Sequence, residues 1–167
     1  MEEFKALPEG TLAEVINGIL FMSPSPIIEH QQISSDLLTD INVFIRKYRK
    51  GGRVLHAACD VYLDEVENVV QPDIVYVSPE NQSMVKKDGI HGTPDLVIEI
   101  LSPSNASHDL HLKKGLYEKF GVSEYWIVSP ATRECTGYRL QNGKYGEPLQ
   151  MKNKVRIAVL DEQVFEF

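Results

Sequence analysis

The sequence predicts an α/β (α+β) fold in which a mixed β-sheet is flanked by helices and preceded by a β-hairpin. Three observations lead there. Short strand-like apolar runs alternate with two segments of helical period. Asn17-Gly18 separates two apolar runs near the start. The run from Asp95 to Leu101 is apolar on both of its alternating faces, apart from its acids, as expected of a central strand covered on both sides.

The elements follow in order. Residues 11–23 read as the hairpin, because Asn and Gly both tolerate the positive φ of a tight two-residue turn. Ser23-Pro24-Ser25-Pro26 breaks it. Residues 27–50 read as the longest helix, with Ile33, Leu37, Ile41, Phe44, Ile45 and Tyr48 in one stripe and Gly51-Gly52 as the stop. Strands are expected over 53–59, 61–63 and 69–78, the last with a proline near its start. Residues 79–92 are polar and read as a loop. The 95–101 strand ends at Ser102-Pro103-Ser104-Asn105. A second helix spans 109–120 and stops at Gly121, and a strand follows over 122–128. Closing strands are expected at 134–140 and 155–160, with a turn at Asn142-Gly143. Neither a repeat nor a linker interrupts the pattern, so residues 1–167 read as a single domain.

Composition narrows the function classes. An apolar fraction of 43% and 25% charged residues suit a globular core. No apolar run is long enough to span a membrane, and the N-terminus lacks the apolar region of a signal peptide. Cys59 and Cys135 have no paired spacing and read as reduced thiols of a cytoplasmic protein. The net charge of −7 argues against a protein that simply coats nucleic acid. Arg46, Lys47, Arg49, Lys50 and Arg53 nevertheless form a local basic cluster. It reads either as a phosphate-binding patch or as a solvated helix end whose cations complement the dipole.

The acids carry the chemistry. Asp95, Val97, Glu99 and Leu101 share one strand face. A carboxylate buried at Glu99 needs a metal or a buried cation as partner. Asp73 opens another apolar run and shares a face with Val75 and Val77. If the two strands are neighbours, Asp73 and Glu99 converge into a hard-oxygen site suited to Mg²⁺ or Mn²⁺. On the following helix, about 100° per residue puts Leu112, Leu116 and Phe120 in the apolar stripe, Lys113 at its edge and Lys114 toward solvent. Asp109, Lys113 and Tyr117 lie on one ridge, so Lys113 either pairs with Asp109 or reaches over the carboxylates. His30 faces inward with Ile33 and Leu37, as a core histidine or a site residue. Glu14 is either a supporting acid or exposed hairpin charge. His108 and His111 lack further ligands for a zinc set and read as surface residues. Tyr125 and Trp126 read as core aromatics.

These segments resemble a known family. Gln71-Pro72-Asp73-Ile74-Val75 precedes the run from Gly92-Thr93-Pro94-Asp95 through Glu99-Ile100-Leu101-Ser102-Pro103-Ser104. Asp109, Lys113, Tyr117 and Gly121-Val122-Ser123-Glu124-Tyr125-Trp126 follow. With Glu14-Val15-Ile16-Asn17-Gly18 and His30, they are similar to the signature of the Uma-two family of restriction-endonuclease-like proteins, over roughly residues 10–140. The resemblance implies a PD-(D/E)XK core and metal-dependent cleavage of DNA. It makes Asp73 and Glu99 the metal ligands together with the Ile100 backbone carbonyl, holding Mg²⁺ or Mn²⁺. It makes Lys113 the lysine that positions water or stabilises developing charge. The superfamily lysine normally stands two residues after the glutamate, where this chain has Leu101. Asp95, His30, Glu14 and Tyr117 become supporting residues, with Asp95 an outer-shell acid, a partner for Lys113 or only a strand-opening acid.

The expected function is therefore a Mg²⁺-dependent DNA endonuclease acting as a cytoplasmic homodimer, in which two basic patches flank a shared groove. The alternative is a non-catalytic interaction or toxin-like module that keeps the nuclease fold.

Overall fold

The computed structural model describes residues 1–8, 10–102 and 108–167, the side chains of 108–110 excepted. A short helix α1 (Glu2–Lys5) leads to the hairpin β1 (Ala13–Ile16) and β2 (Ile19–Met22). Asn17 and Gly18 take φ of 50° and 77°, the left-handed conformation that the Asn-Gly pair supplies at low cost. The long helix α2 (Ile28–Lys47) follows, then β3 (Arg53–His56), β4 (Val61–Tyr62), β5 (Val69–Val70), β6 (Ile74–Val77), β7 (Ile90–His91) and β8 (Leu96–Ile100). Helix α3 (His108–Phe120) precedes β9 (Glu124–Val128), β10 (Glu134–Gln141), β11 (Lys144–Tyr145), β12 (Leu149–Lys152), β13 (Lys154–Ile157) and β14 (Gln163–Glu166).

The main sheet runs β11-β10-β9-β8-β6-β3, with β12 also on β10. The β8–β9 pair is parallel and bridged by α3, whereas β6 and β8 are antiparallel. Strand β8 is buried at every residue, as its two apolar faces require. On one face Leu96, Ile98 and Ile100 meet the α2 stripe of Ile33, Leu37, Ile41 and Ile45. On the other, Val97 meets Leu116 and Tyr117 of α3, together with Tyr125. A second sheet, β2-β1-β5-β4-β7, covers part of this face through Ile16, Val61 and Val70.

Three expectations need correction. The expected strand over 69–78 is two strands in different sheets. Pro72 has no N–H for a ladder, and the Gln71 N–H is taken by the Glu14 carboxylate at 2.8 Å. The expected strand over 155–160 ends at Ile157 and turns into a 3₁₀ segment, Ala158–Leu160. The buried Glu124 carboxylate accepts the Ala158 and Val159 N–H groups at 3.0 and 3.1 Å and draws the chain out of the strand. The polar stretch 79–92 holds a 3₁₀ turn, Pro79–Met84, and β7. The strand-ending Pro103-Ser104-Asn105 lies outside the described residues. No helix among the described residues is long and apolar enough to cross a membrane.

Gly137 on β10 lies opposite Trp126. A Cβ there would stand 2.5 Å from the indole, which is almost fully buried and cannot retreat. Gly137→Ala should destabilise the fold by about 1–3 kcal/mol through overpacking. Chemical denaturation of both proteins checks this, and equal midpoints would contradict the packing described.

Candidate active site

The site lies where β6 begins and β8 ends. Ile74 pairs with Ile98, so Asp73 stands just beyond the ladder at the level of Glu99. Asp73 Oδ2 accepts the Ile100 N–H at 2.7 Å. It also lies 3.1 Å from His30 Nε2, which must carry the proton because an ionised carboxylate only accepts. Helix α2 delivers His30 from its first turn, on the face that buries Ile33 and Leu37.

Glu99 points to the α3 side, as its alternation with Val97 requires. Its Oε1 accepts from Lys113 Nζ at 3.1 Å and from the Tyr117 hydroxyl at 2.6 Å. Lys113 and Tyr117 are one helical turn apart and share a face. Lys113 Nζ also donates to Glu14 Oε1 at 2.9 Å, and all four side chains are buried. Asp73, Glu99, Lys113 and His30 line one recess of about 130 Å³, together with Ser23 and Pro24.

Electrostatics follow from burial. Desolvation lifts the Glu99 carboxyl to about 7, helped by the charges of Asp73 and Glu14 and opposed by Lys113 and Tyr117. Burial disfavours the charge on Lys113, but Glu99 and Glu14 outweigh it and hold the ammonium well above its usual range. Burial likewise opposes charge on His30, yet the hydrogen bond and charge of Asp73 raise its pKa, with a contribution from the Ile100 backbone. Burial beside Glu99 keeps Tyr117 neutral.

The donor set can be tested against a cation. Among the described residues no hydrogen bond reaches Asp73 Oδ1 or Glu99 Oε2. Neither oxygen is a sealed, unpartnered atom; His30 Nδ1 alone has that state among the described residues. Among the described residues each acid thus commits one oxygen to protein donors, and both acids line the recess. No cluster of three or more His, Cys, Asp and Glu side chains forms a ready metal cage among the described residues. Two carboxylates and a backbone carbonyl, with remaining positions left to water, suit a cation such as Mg²⁺ that keeps part of its hydration. They do not suit zinc.

Other expected site residues fall elsewhere. Asp95 lies at the opposite end of β8, about 13 Å from Glu99 at strand rise. Its carboxylate accepts the Ser78 N–H at 2.7 Å and the Asn81 side-chain amide at 2.9 Å, so it braces the 3₁₀ turn and supports neither Lys113 nor the acids. The five-cation cluster does not face the site either. Arg46 lies 16 residues along α2 from His30, about 24 Å away. Lys50 is paired with Asp161, and Arg53 is opposite Val77 at the far end of the sheet. The expected Asp109–Lys113 pair and the His108 side chain lie outside the described residues, and His111 is exposed. Leu101 lines the recess where the superfamily lysine would stand.

Sequence reasoning missed Gln71. Its amide accepts from Ala13 N–H at 3.2 Å and donates to Thr11 O and Asp60 Oδ1, at 3.1 and 2.7 Å. Its backbone holds Glu14. The residue stands directly before Pro72-Asp73, and its position in that run was the available signal.

A family model named Uma2, described as "Putative restriction endonuclease", matches residues 1–163. No curated protein matches. The crystal structure of a "putative nuclease belonging to DUF820" from Anabaena variabilis ATCC 29413 is similar at a TM-score of 0.76. Sequence identity is 22%, covering 99% of this chain and 93% of that one. At that identity the likeness shows the fold, which is the restriction-endonuclease-like α+β fold.

The raised Glu99 pKa has a testable sign. The folded protein keeps a proton that the unfolded chain releases near the ordinary value of 4.5, so stability falls as pH rises from there to about 7. Glu99→Gln removes this titration. Between pH 5 and 7 the wild type should lose up to about 1 kcal/mol more stability per pH unit than the variant. Urea midpoints across that range measure it, and parallel pH profiles would contradict it.

Proposed function

The chain belongs to the Uma2 family of restriction-endonuclease-like proteins, and we propose that it is a metal-dependent endonuclease that hydrolyses phosphodiester bonds in DNA. One observation carries the reading. Two neighbouring carboxylates, Asp73 and Glu99, line a recess that also holds a buried, charged lysine, and among the described residues each keeps one oxygen without a protein donor. In this reading Asp73, Glu99 and the Ile100 backbone carbonyl hold Mg²⁺ or Mn²⁺. When bound, the cation supplies Lewis-acid polarisation of the phosphate and a more acidic water.

The chain's own residues do the rest. Tyr117 and Lys113 fix Glu99 Oε1, and in this reading its other oxygen is the one that meets the cation. The Ile100 N–H and His30 fix Asp73 in the same way. Lys113 stays charged at neutral pH, so it does not take a proton from water. Its role is electrostatic. As water adds to phosphorus and the bond to the leaving sugar oxygen breaks, its ammonium stabilises the negative charge that builds on the phosphoryl oxygens. Glu14 holds Lys113 from the other side. We also take residues 1–167 to act as one domain.

Calorimetric titration with Mn²⁺ tests the metal site. Wild type should bind in the micromolar to millimolar range, with affinity rising toward pH 7 as Glu99 loses its proton. Asp73→Asn should abolish the binding. Undiminished binding by that variant would sink the assignment, and a wild type that binds no Mn²⁺, even with DNA present, would favour an interaction module.

Lys113→Gln tests the lysine. It should retain Mn²⁺ binding and cleave duplex DNA about 10²–10³-fold more slowly. Wild-type cleavage by this variant would reduce Lys113 to a structural partner of Glu14 and Glu99.

A further inference from the structure

A second recess, of about 570 Å³, adjoins the carboxylate site. Gln71 lines both, and the wall passes from Ala57 in the first to Ala58 in the second. The recess then runs beside β3 as far as Arg53. From Ala57 to Arg53 that is about 13 Å at strand rise. Duplex DNA advances about 3.4 Å per phosphate on each strand, so the recess spans three to four nucleotides.

Its lining is cationic in a protein of net charge −7. Lys5, Arg53, Lys86 and Lys87 stand on its wall against Asp60 and Asp88. They come from three separate elements: α1, β3 and the turn before β7. All four are exposed, and among the described residues none is in an ion pair. Asp60 is already engaged by the Gln71 amide, and Asp88 by His91. The recess thus carries four cations against two acids, and the charge of Lys5 reaches Asp88 and lowers that acid's pKa. The Arg46–Lys50 cluster is remote from the acids and partly paired.

We propose that this recess holds the DNA backbone flanking the bond to be cut, with Lys5, Arg53, Lys86 and Lys87 contacting successive phosphates. The inference rests on the nuclease reading and adds where the strand lies. It accounts for an acidic protein engaging a polyanion: the attraction is local, because this recess carries an excess of cations. The strand enters along the exposed edge of β3 and reaches Asp73 and Glu99 past Gln71.

The test compares Lys86→Ala/Lys87→Ala with Arg46→Ala/Lys47→Ala, the latter pair on the remote cluster. Binding of a fluorescent DNA duplex is followed by anisotropy in Ca²⁺ across a range of KCl concentrations. Removing the recess pair should weaken binding at least tenfold and lower the slope of log affinity against log salt by about 2, one for each lost phosphate contact. The remote pair should leave both unchanged. Arg53→Ala, on a different element, should reproduce about half the slope change. Wild-type binding by the recess variants, or equal loss from the remote pair, overturns the inference. A wild type that binds no duplex overturns it as well. Mn²⁺ titration of the same samples distinguishes that failure from failure of the metal site, because the carboxylates bind metal whether or not the recess binds DNA.

Discussion

Glu99 is a carboxylate placed near the end of a strand that is buried on both faces. Removing such a group from water costs several kcal/mol unless charge and hydrogen bonds replace the solvent. Lys113 and Tyr117 make that replacement from α3, and Glu14 shares the lysine from the hairpin. The cost is only partly offset, as the raised Glu99 pKa shows.

This arrangement ties together elements that are otherwise far apart. Glu14 belongs to the second sheet, Glu99 to the main sheet and Lys113 to the crossover helix. Gln71 closes the loop by holding Glu14 through its backbone and the hairpin through its amide. Asp73 follows two residues later, where Pro72 has interrupted the strand and freed the carboxylate to meet α2 and the end of β8. The break in the expected 69–78 strand therefore brings the second acid to the first.

Charge is sorted by position. Of the acids that define the recess, Glu14 and Glu99 are buried and Asp73 is half-buried, and all are braced by hydrogen bonds, whereas the −7 balance of the chain is spread over the surface. Four cations with no ion pair among the described residues collect in the recess that adjoins the site. The cluster that is densest in sequence collects at the distant end of α2, where it complements the helix dipole. Density along the chain and density in space are different quantities, and only the second attracts a ligand.

The sequence by itself determined the periodic parts. The Asn17-Gly18 hairpin, the stripe of α2, the doubly buried β8 and the inward edge of α3 follow from local pattern, because side-chain direction is fixed by residue spacing within an element. The same alternation put Glu99 and Val97 on one face, and the helix period put Lys113 beside Tyr117. Tertiary structure alone decided what those faces meet. Asp95 shares Glu99's face yet sits at the wrong end of the strand, a distance that alternation does not encode. Arg53 belongs to the basic run in sequence but lines a different surface. Val69–Val70 left the main sheet because a side chain from residue 14 took the Gln71 N–H. Partners separated by tens of residues are chosen by packing and by the need to satisfy buried charge, and no local period carries that information.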